Sequence, residues 1–404
     1  MPISKNKKRN IAPANISAIS GKVYPKPVNH QLIAGFTGVP NGSAVQKTSS
    51  YAANQGRNGH DIGNANCSRI KIVDVQFKIT AGSGVESGAA AATSTWQRSV
   101  ENGTITTRAT WDGGSTTADL VNSGLIISDE INITWAKNSR NYTRFYRTVP
   151  SDTDSFSAMT LNSIASQGFR TVSGNQLMSN GSLNNSGTGS GPAIWPALIL
   201  GIPDVPMPAI CIVGDSIATY LNDTNTSTTQ GFLTRAMQNV NGVVFPWHKQ
   251  TIDANTLGNQ QLASAPLQKQ LWPYCTDLLI QLGTNDIANS ASLATMKTRF
   301  TDLASYARGL IGPYGNRLRI HATSIIPRGT YDSARNIVRN DYNAWLAAGA
   351  DGLIDQYHDI NAAAGDFTTY PSDQIHPGVT DHANMAAVVA ANMVPYLDPY
   401  YKFV

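Results

Sequence analysis

Residues Ala209-Ile210-Cys211-Ile212-Val213-Gly214-Asp215-Ser216-Ile217-Ala218 decide how the second half of the chain is read. A short unbroken apolar run of this kind predicts a strand buried on both faces. The run stops at Gly214, where the chain can turn tightly, and Ser216 follows at once. A serine at the carboxyl end of a strand sits where open α/β sheets collect their ligands. Working outward, Leu278-Leu279-Ile280-Gln281-Leu282-Gly283-Thr284-Asn285-Asp286 is a second apolar strand ending in a glycine and a polar cluster. Ser372-Asp373-Gln374-Ile375-His376-Pro377 then sets an acid and a histidine three residues apart, ahead of a C-terminal helix pattern. The three stretches form a Ser…Asp…His constellation with an extra amide donor.

Ester hydrolysis near neutral pH needs an activated hydroxyl, a base, a group that orients the base, and donors for the developing oxyanion. Ser216 is the candidate nucleophile. A serine in this position can also simply cap the next helix, and it is the other two stretches that favour chemistry. The Gly-x-Ser-x-Gly elbow of α/β-hydrolases is not matched, because Ala218 stands where the second glycine would be. His376 is the candidate base. With two residues between them, a loop can bring Asp373 beside one imidazole nitrogen while the other faces Ser216. Asp381 and His382 are the nearest competitors and are expected on the surface of a helix. The backbone N–H of Ser216 becomes an oxyanion donor if the serine begins a helix.

Gly214-Asp215-Ser216, Gly283-Thr284-Asn285-Asp286 and Asp373-x-x-His376 resemble, in order and spacing, the motif blocks of the SGNH (GDSL-type) hydrolase superfamily. The resemblance covers roughly the second half of the chain. It implies a flavodoxin-like α/β/α sandwich with a parallel sheet, and esterase, lipase or carbohydrate deacetylase activity without a cofactor. It also implies that the Asn285 side chain is an oxyanion donor. A glycine N–H after the second strand would be another; Gly258 fits by spacing, and Gly242 is the alternative. Asp215 and Asp286 become supports that brace loops. Thr323-Ser324-Ile325-Ile326-Pro327-Arg328 and Arg335 to Trp345 resemble the scaffold of the family and carry no chemistry.

Composition narrows the field further. Only 14% of the 404 residues are charged, and the net charge is +4. A small, dispersed excess of positive charge argues against nucleic acid, which calls for basic residues gathered on one face. Glu86, Glu101 and Glu130 are the only glutamates. Cys67, Cys211 and Cys275 are widely spaced and read as buried thiols rather than as a disulfide or zinc framework. The seven histidines are scattered without a metal-ligand spacing, and no Gly-rich phosphate loop follows a strand. Lys5-Asn6-Lys7-Lys8-Arg9 is basic, but the following residues lack the apolar core of a secretory signal. No run approaches the ~20 apolar residues of a membrane span. The compartment stays open, and extracellular or virion-associated use is compatible.

Along the chain, residues 1–65 read as an extended arm broken by Pro13, Pro25, Pro27 and Pro40. Alternating runs at 69–79, 104–111, 125–127, 131–135 and 142–149 predict short strands. They are separated by turns such as Asp112-Gly113-Gly114, so 66–200 is expected to be a β-sandwich or jelly-roll-like domain. Residues 175–191 read as a Gly/Ser/Asn-rich linker, and 193–199 as a feed into the domain junction. From 201 to 404 strands alternate with helices, which implies parallel βαβ units. Strands are placed at 209–213, 242–246, 277–282, 318–325 and 352–355. Helices are placed at 231–238, 260–270, 293–309, 333–347 and 380–394.

The expected activity is hydrolysis of a carboxylic ester through an acyl-enzyme. The polar stretch 221–229, and Gly365 to Tyr370 with Phe367 and Tyr370, suit a sugar face and a short acyl group better than a long chain. A carbohydrate acetyl ester is therefore the expected substrate. The contrasting expectation is a structural or glycan-binding surface or virion protein that carries the same fold without activity, assembled through its N-terminal arm.

Overall fold

The computed structural model describes residues 27–40, 53–80, 82–88, 93–148, 174–183, 194–224, 230–371 and 373–398, together with backbone strands at 16–19, 22–25, 44–47, 155–158, 167–171 and 188–190. The rest of the expected arm, and with it the assembly expected of it, lies outside the described residues.

The apolar runs of the second half form a parallel sheet. Its strands lie in the order Gln356–His358, Arg319–Thr323, Asp277–Gln281, Ile210–Gly214, Trp247–Thr251 and Thr37–Gly38, and every pair is parallel. Numbered from Ile210–Gly214, the five main strands run 2-1-3-4-5, the doubly wound flavodoxin-like order. The period-2 alternation of a strand sorts its side chains between two cores. Ile210, Ile212 and Leu279 join Phe232, Leu233, Met385 and Val389, so the helices Phe232–Gln238 and Val379–Met393 cover one face. Cys211, Val213, Leu278 and Ile280 join Phe300, Leu303, Tyr342 and Leu346, so Leu293–Arg308 and Ser333–Ala347 cover the other. Cys67, Cys211 and Cys275 are buried free thiols.

The first half forms antiparallel sheets. One runs Ile105–Arg108, Thr93–Asn102, Arg140–Thr148, Ala53–Asp61, Gln167–Thr171 and Thr188–Ser190, with Ala118–Val121 also paired to Thr93–Asn102. The other is built around Cys67–Val75 and Leu198–Pro203, flanked by Leu125–Ile127, Ile131–Trp135 and Gln31–Leu32. Alternation again divides the work. Ile70, Ile72 and Ile199 pack with Val100 and Trp135 toward the first sheet. Val73, Val75, Leu198 and Leu200 enter the same core as Cys211 and Leu278. This second sheet is therefore shared between the two halves of the molecule.

Several expectations differ from this architecture. Gln31–Leu32, Thr37–Gly38 and Ala53–Asp61 fall in the stretch read as an arm, yet each is a paired strand. Thr93–Asn102, with no apolar run to signal it, lies inside its sheet. The strand Leu198–Pro203 runs straight through the expected boundary at 200/201. In the expected linker, Leu177 is buried and its carbonyl accepts the Ser99 hydroxyl at 2.6 Å. The strand expected at 242–246 is Trp247–Thr251, and the one at 352–355 is Gln356–His358. Of the helix expected at 260–270, only Pro266–Lys269 is α-helical.

Two of these departures, Trp247–Thr251 and Thr93–Asn102, share a cause, which is that their polar side chains are buried with partners from distant segments. His248 Nδ1 lies 2.8 Å from the Ala197 carbonyl. Gln250 donates to the Gln268 carbonyl at 3.0 Å and accepts from Trp272 Nε1 at 2.9 Å. Arg98 pairs with Asp74, and Glu101 with both Arg57 and Arg144. A buried polar group is tolerated when its hydrogen bonds are made, and hydropathy cannot foresee such partners.

Candidate active site

Ile210–Gly214 is the strand at which the sheet order reverses, so the crevice at its carboxyl end is where a ligand is expected. Gly214 is required there: a Cβ on it would lie 2.5 Å from the Ala218 Cβ, so no other residue lets the next turn fold back. Asp215 caps that turn, its side chain accepting the Ile217 N–H at 2.9 Å. Ser216 is the first residue of the four-residue helix and is 8% exposed. Burial pushes the Asp215 carboxyl up to about 7, against the hydrogen bonds from Ile217 and Gln281.

The Asp373–His376 loop reaches Ser216 from the far end of the chain. Asp373 Oδ1 accepts the N–H groups of Ile375 and His376, each at 2.9 Å. Those two bonds curl the loop, with Gln374 at φ 57°, so that Asp373 Oδ2 lies 2.5 Å from His376 Nδ1. His376 Nε2 lies 2.8 Å from Ser216 Oγ. Burial acts to raise the Asp373 carboxyl, but the bonds from His376 and Ile375 prevail and hold it below the usual range. Asn222 fixes the loop from outside, donating to the His376 carbonyl at 3.1 Å.

Asn285 stands in the helix Thr284–Ala288, just after the Asp277–Gln281 strand. Its Nδ2 donates to the Asn255 carbonyl at 3.0 Å, which leaves the second hydrogen of that amide for another acceptor. Asn255 in turn donates to the Gly214 carbonyl at 3.1 Å. Asn285 is thus tied to the end of the Ser216 strand through one intermediary.

Gly258 follows Leu257, whose backbone N–H donates to Asp286 Oδ2 at 2.8 Å, and a Cβ on Gly258 would lie 3.1 Å from the Arg299 guanidinium carbon. Gly242 lies in the exposed turn before the Trp247–Thr251 strand, at the opposite end of the sheet, with its N–H 2.8 Å from Asn239 Oδ1. Asp286 is bound in addition by Arg299 Nη1 at 2.9 Å. Burial raises its carboxyl even so.

Sequence reasoning missed the loop that follows Trp247–Thr251. Ala254 there has φ 61°, a left-handed conformation uncommon for a residue with a Cβ. Asp253 is half-buried, its carboxyl raised by burial and opposed by the nearby charges of His376 and Lys249. Lys249 is buried, donates to the Thr219 carbonyl at 2.5 Å, and is pushed by burial down to about 7 against the pull of Asp223 and Asp253. A signal existed, since Asp253-Ala254-Asn255 follows its strand as Asp215-Ser216 follows its own. It was hidden because the strand was expected five residues early.

Other expectations change as well. His382 is buried rather than on the surface, with Nε2 3.2 Å from the Leu221 carbonyl, and burial lowers its imidazole to about 4. Asp381 accepts the Gly378 N–H at 3.1 Å at the start of the same helix. Tyr370 points into the core at 6% exposure, so only Phe367 of the two expected sugar-facing rings is partly accessible. Residues 225–229 of the expected polar border lie outside the described residues. Among the described residues no group of three or more His, Cys, Asp or Glu is arranged to hold a metal ion, and no helix is long and apolar enough to cross a membrane.

With this geometry in place, the chain can be set beside known proteins. No family model matches it, and no curated protein does. Solved structures do match. One is a family two carbohydrate esterase from Clostridium thermocellum in complex with cellohexaose, at 12% identity, with 89% of this chain and 99% of that chain covered and a TM-score of 0.38. Another is TesA, at 18% identity, 46% and 99% coverage and a TM-score of 0.36. A third is Est24, a carbohydrate acetylesterase from Sinorhizobium meliloti, at 13% identity, 45% and 96% coverage and a TM-score of 0.35. These matches are SGNH-type esterases. So distant a likeness carries no argument about substrate or mechanism, which rest on the atoms of the site.

Proposed function

We propose that the chain is a serine-dependent carboxylic ester hydrolase of the SGNH type, acting through an acyl-enzyme on short-acyl esters of carbohydrates. The observation that carries this reading is the single line of contacts from Asp373 Oδ2 to His376 Nδ1 at 2.5 Å and from His376 Nε2 to Ser216 Oγ at 2.8 Å. In this reading 201–404 carries the catalytic machinery, and 66–200 is a β-rich accessory part joined to it through the shared strand Leu198–Pro203 and bordering its cleft.

As Ser216 Oγ attacks the ester carbonyl, its proton passes to His376 Nε2, and Asp373 stabilises the imidazolium and fixes its tautomer. The Ser216 N–H and the Asn285 amide stabilise the negative charge that gathers on the carbonyl oxygen. The C–O bond breaks, the imidazolium returns its proton to the departing alcohol, and the acyl group stays on Ser216. Water then attacks the acyl-enzyme with His376 again as base, which releases the acid and restores the serine.

A short acyl group is favoured because the loops that carry His376 and Asn255 are rich in hydroxyl and amide groups. A long chain needs a contiguous apolar lining, since each buried CH₂ contributes about 0.8 kcal/mol. Initial rates on p-nitrophenyl esters from acetate to palmitate test the reading. The expected outcome is kcat/KM falling beyond butyrate and no hydrolysis by Ser216→Ala. A rise with chain length would remove the short-acyl assignment, and an active Ser216→Ala the serine mechanism.

A further inference from the structure

Beside the oxyanion side of the site lies a cleft of about 570 Å³ that the hydrolytic machinery does not use. One wall is the tip of a hairpin from the first half of the chain, Phe77–Ile79 and Glu86–Gly88, carrying Ser83 and Val85. The facing walls are Asn259, after the Trp247–Thr251 strand, and Asn289, Thr295 and Arg299, around the start of the helix Leu293–Arg308. Such a volume suits a small-molecule ligand rather than a trapped water.

The hairpin is pinned at both ends of its tip. The Gly82 N–H donates to the Asp253 carbonyl at 3.2 Å. Glu86 accepts the N–H groups of Leu267 and Gln268 at 2.8 and 2.5 Å. The wall is therefore fixed against the loop whose Asn255 holds Asn285. Asp286, which follows Asn285 directly, forms part of the cleft floor. One short segment thus serves the site on one side and the cleft on the other.

The lining has a definite chemistry. Arg299 gives Nη1 to Asp286 and is still 38% exposed, so its guanidinium, a five-donor group, is partly open to the cleft. The side-chain amides of Asn259 and Asn289 have no partner among the described residues. Free amides and a charge-compensated guanidinium, with one apolar patch at Val85 (41% exposed), suit a neutral ligand with many hydroxyls. They do not suit an acyl chain, because the amides would be desolvated without partners.

We propose that this cleft is the acceptor subsite, holding the sugar chain of the alcohol half of the ester, with the hairpin of the N-terminal half as its outer wall. The proposal rests on the ester-hydrolase reading above, and p-nitrophenyl acetate, whose alcohol half is one aromatic ring without the hydroxyls of a sugar chain, separates the two. Ser83→Trp and Thr295→Trp, both exposed positions, each fill the cleft without touching the hydrolytic residues. Acetate release is measured from singly O-acetylated oligosaccharides of glucose and xylose, and in parallel from p-nitrophenyl acetate. The expected result is a roughly tenfold or greater fall in kcat/KM on the oligosaccharides, carried by KM, with less than a twofold change on p-nitrophenyl acetate, as for lost uniform binding. Equal losses on both substrates, no loss on either, or a wild type that releases no sugar-bound acetate would overturn it. Loss confined to p-nitrophenyl esters longer than butyrate would make the cleft an acyl pocket, which also overturns it. Inactivity of the wild type on p-nitrophenyl acetate itself would instead count against the ester-hydrolase reading.

Discussion

Two Asp–His pairs lie at opposite ends of the parallel sheet, and in only one of them does the second imidazole nitrogen meet a hydroxyl. At the amino ends of the strands, Asp277 Oδ1 lies 2.8 Å from His321 Nε2, and both side chains are fully buried. Arg319 holds the same carboxylate through Nε at 2.7 Å and Nη2 at 2.6 Å. The other nitrogen of His321 meets His358 Nε2 at 3.4 Å, the two rings stacked. Burial acts to raise the Asp277 carboxyl, but Arg319 and His321 outweigh it and hold it well below the usual range. At the carboxyl ends, Asp373 is 35% exposed, His376 is 13% exposed, and the free imidazole nitrogen faces a hydroxyl. An Asp–His hydrogen bond alone is structural. What converts it into an acid–base device is a reactive group on the second nitrogen and access from solvent.

The largest difference between the two ends is expected in the rate. Ser216→Ala or His376→Ala should lower kcat by roughly 10⁵-fold or more, and the double variant should lose little beyond either alone, as for residues that act as a unit. His321→Ala should keep near-normal kcat per folded molecule while lowering the melting temperature. Comparable losses of kcat at both histidines would erase the distinction between the ends.

Changing the carboxylates sharpens the comparison. Asp373→Asn should lower kcat by roughly 10⁴-fold with the fold intact, since the amide favours the wrong tautomer. Asp277→Asn should leave the chemistry and instead cost about 3–5 kcal/mol of stability, because Arg319 loses its buried partner. The sign with pH follows from the depressed Asp277 carboxyl. Its stabilisation is present above the unfolded value of roughly 4 and is lost as the pH falls below it. Chemical unfolding from pH 6 down to pH 2.5 should therefore show a steeper acid loss in the wild type than in Asp277→Asn. Parallel curves would mean that the buried pair does not titrate with folding.

What was legible in the sequence follows the same division. Asp373 and His376 are three residues apart and Ser216 follows an apolar run, so local spacing and hydropathy reach them. Asp277, His321 and His358 lie tens of residues apart on separate strands, and no local pattern joins them. The strands that alternate or run apolar were readable; Trp247–Thr251 and Thr93–Asn102 were not, because their polar side chains find partners only after folding. The same blind spot concealed the Asp253–Asn255 loop and left Gly258 as the nearest glycine in sight.

Asn285 tests how far the working end depends on fixed donors. Asn285→Ala should lower kcat by roughly 10²–10³-fold with little change in KM, the usual cost of one oxyanion donor. An unchanged kcat with a raised KM would move Asn285 into substrate binding and leave the Ser216 N–H as the remaining donor of the pair.

The smallest effect is expected at Ala254, where the working end carries a strained residue. Its φ of 61° sits in the left-handed region, which costs an L-residue roughly 1–2 kcal/mol relative to glycine. Glycine would remove that strain but gain chain entropy in the unfolded state, a loss of roughly 0.5–1 kcal/mol. The two terms leave Ala254→Gly more stable by about 0.5–1 kcal/mol. The backbone path of the loop is unchanged by the substitution, so Asn255 keeps its bonds to Gly214 and Asn285, and kcat should stay within about twofold, the range of near-neutral substitutions away from special features. Urea unfolding measures the first quantity and p-nitrophenyl acetate hydrolysis the second. A less stable Ala254→Gly would mean that the Ala254 methyl group contributes packing that outweighs its strain. A more stable variant with a much lower kcat would mean that the stiffness of the alanine, rather than the loop's path alone, holds Asn285 in position.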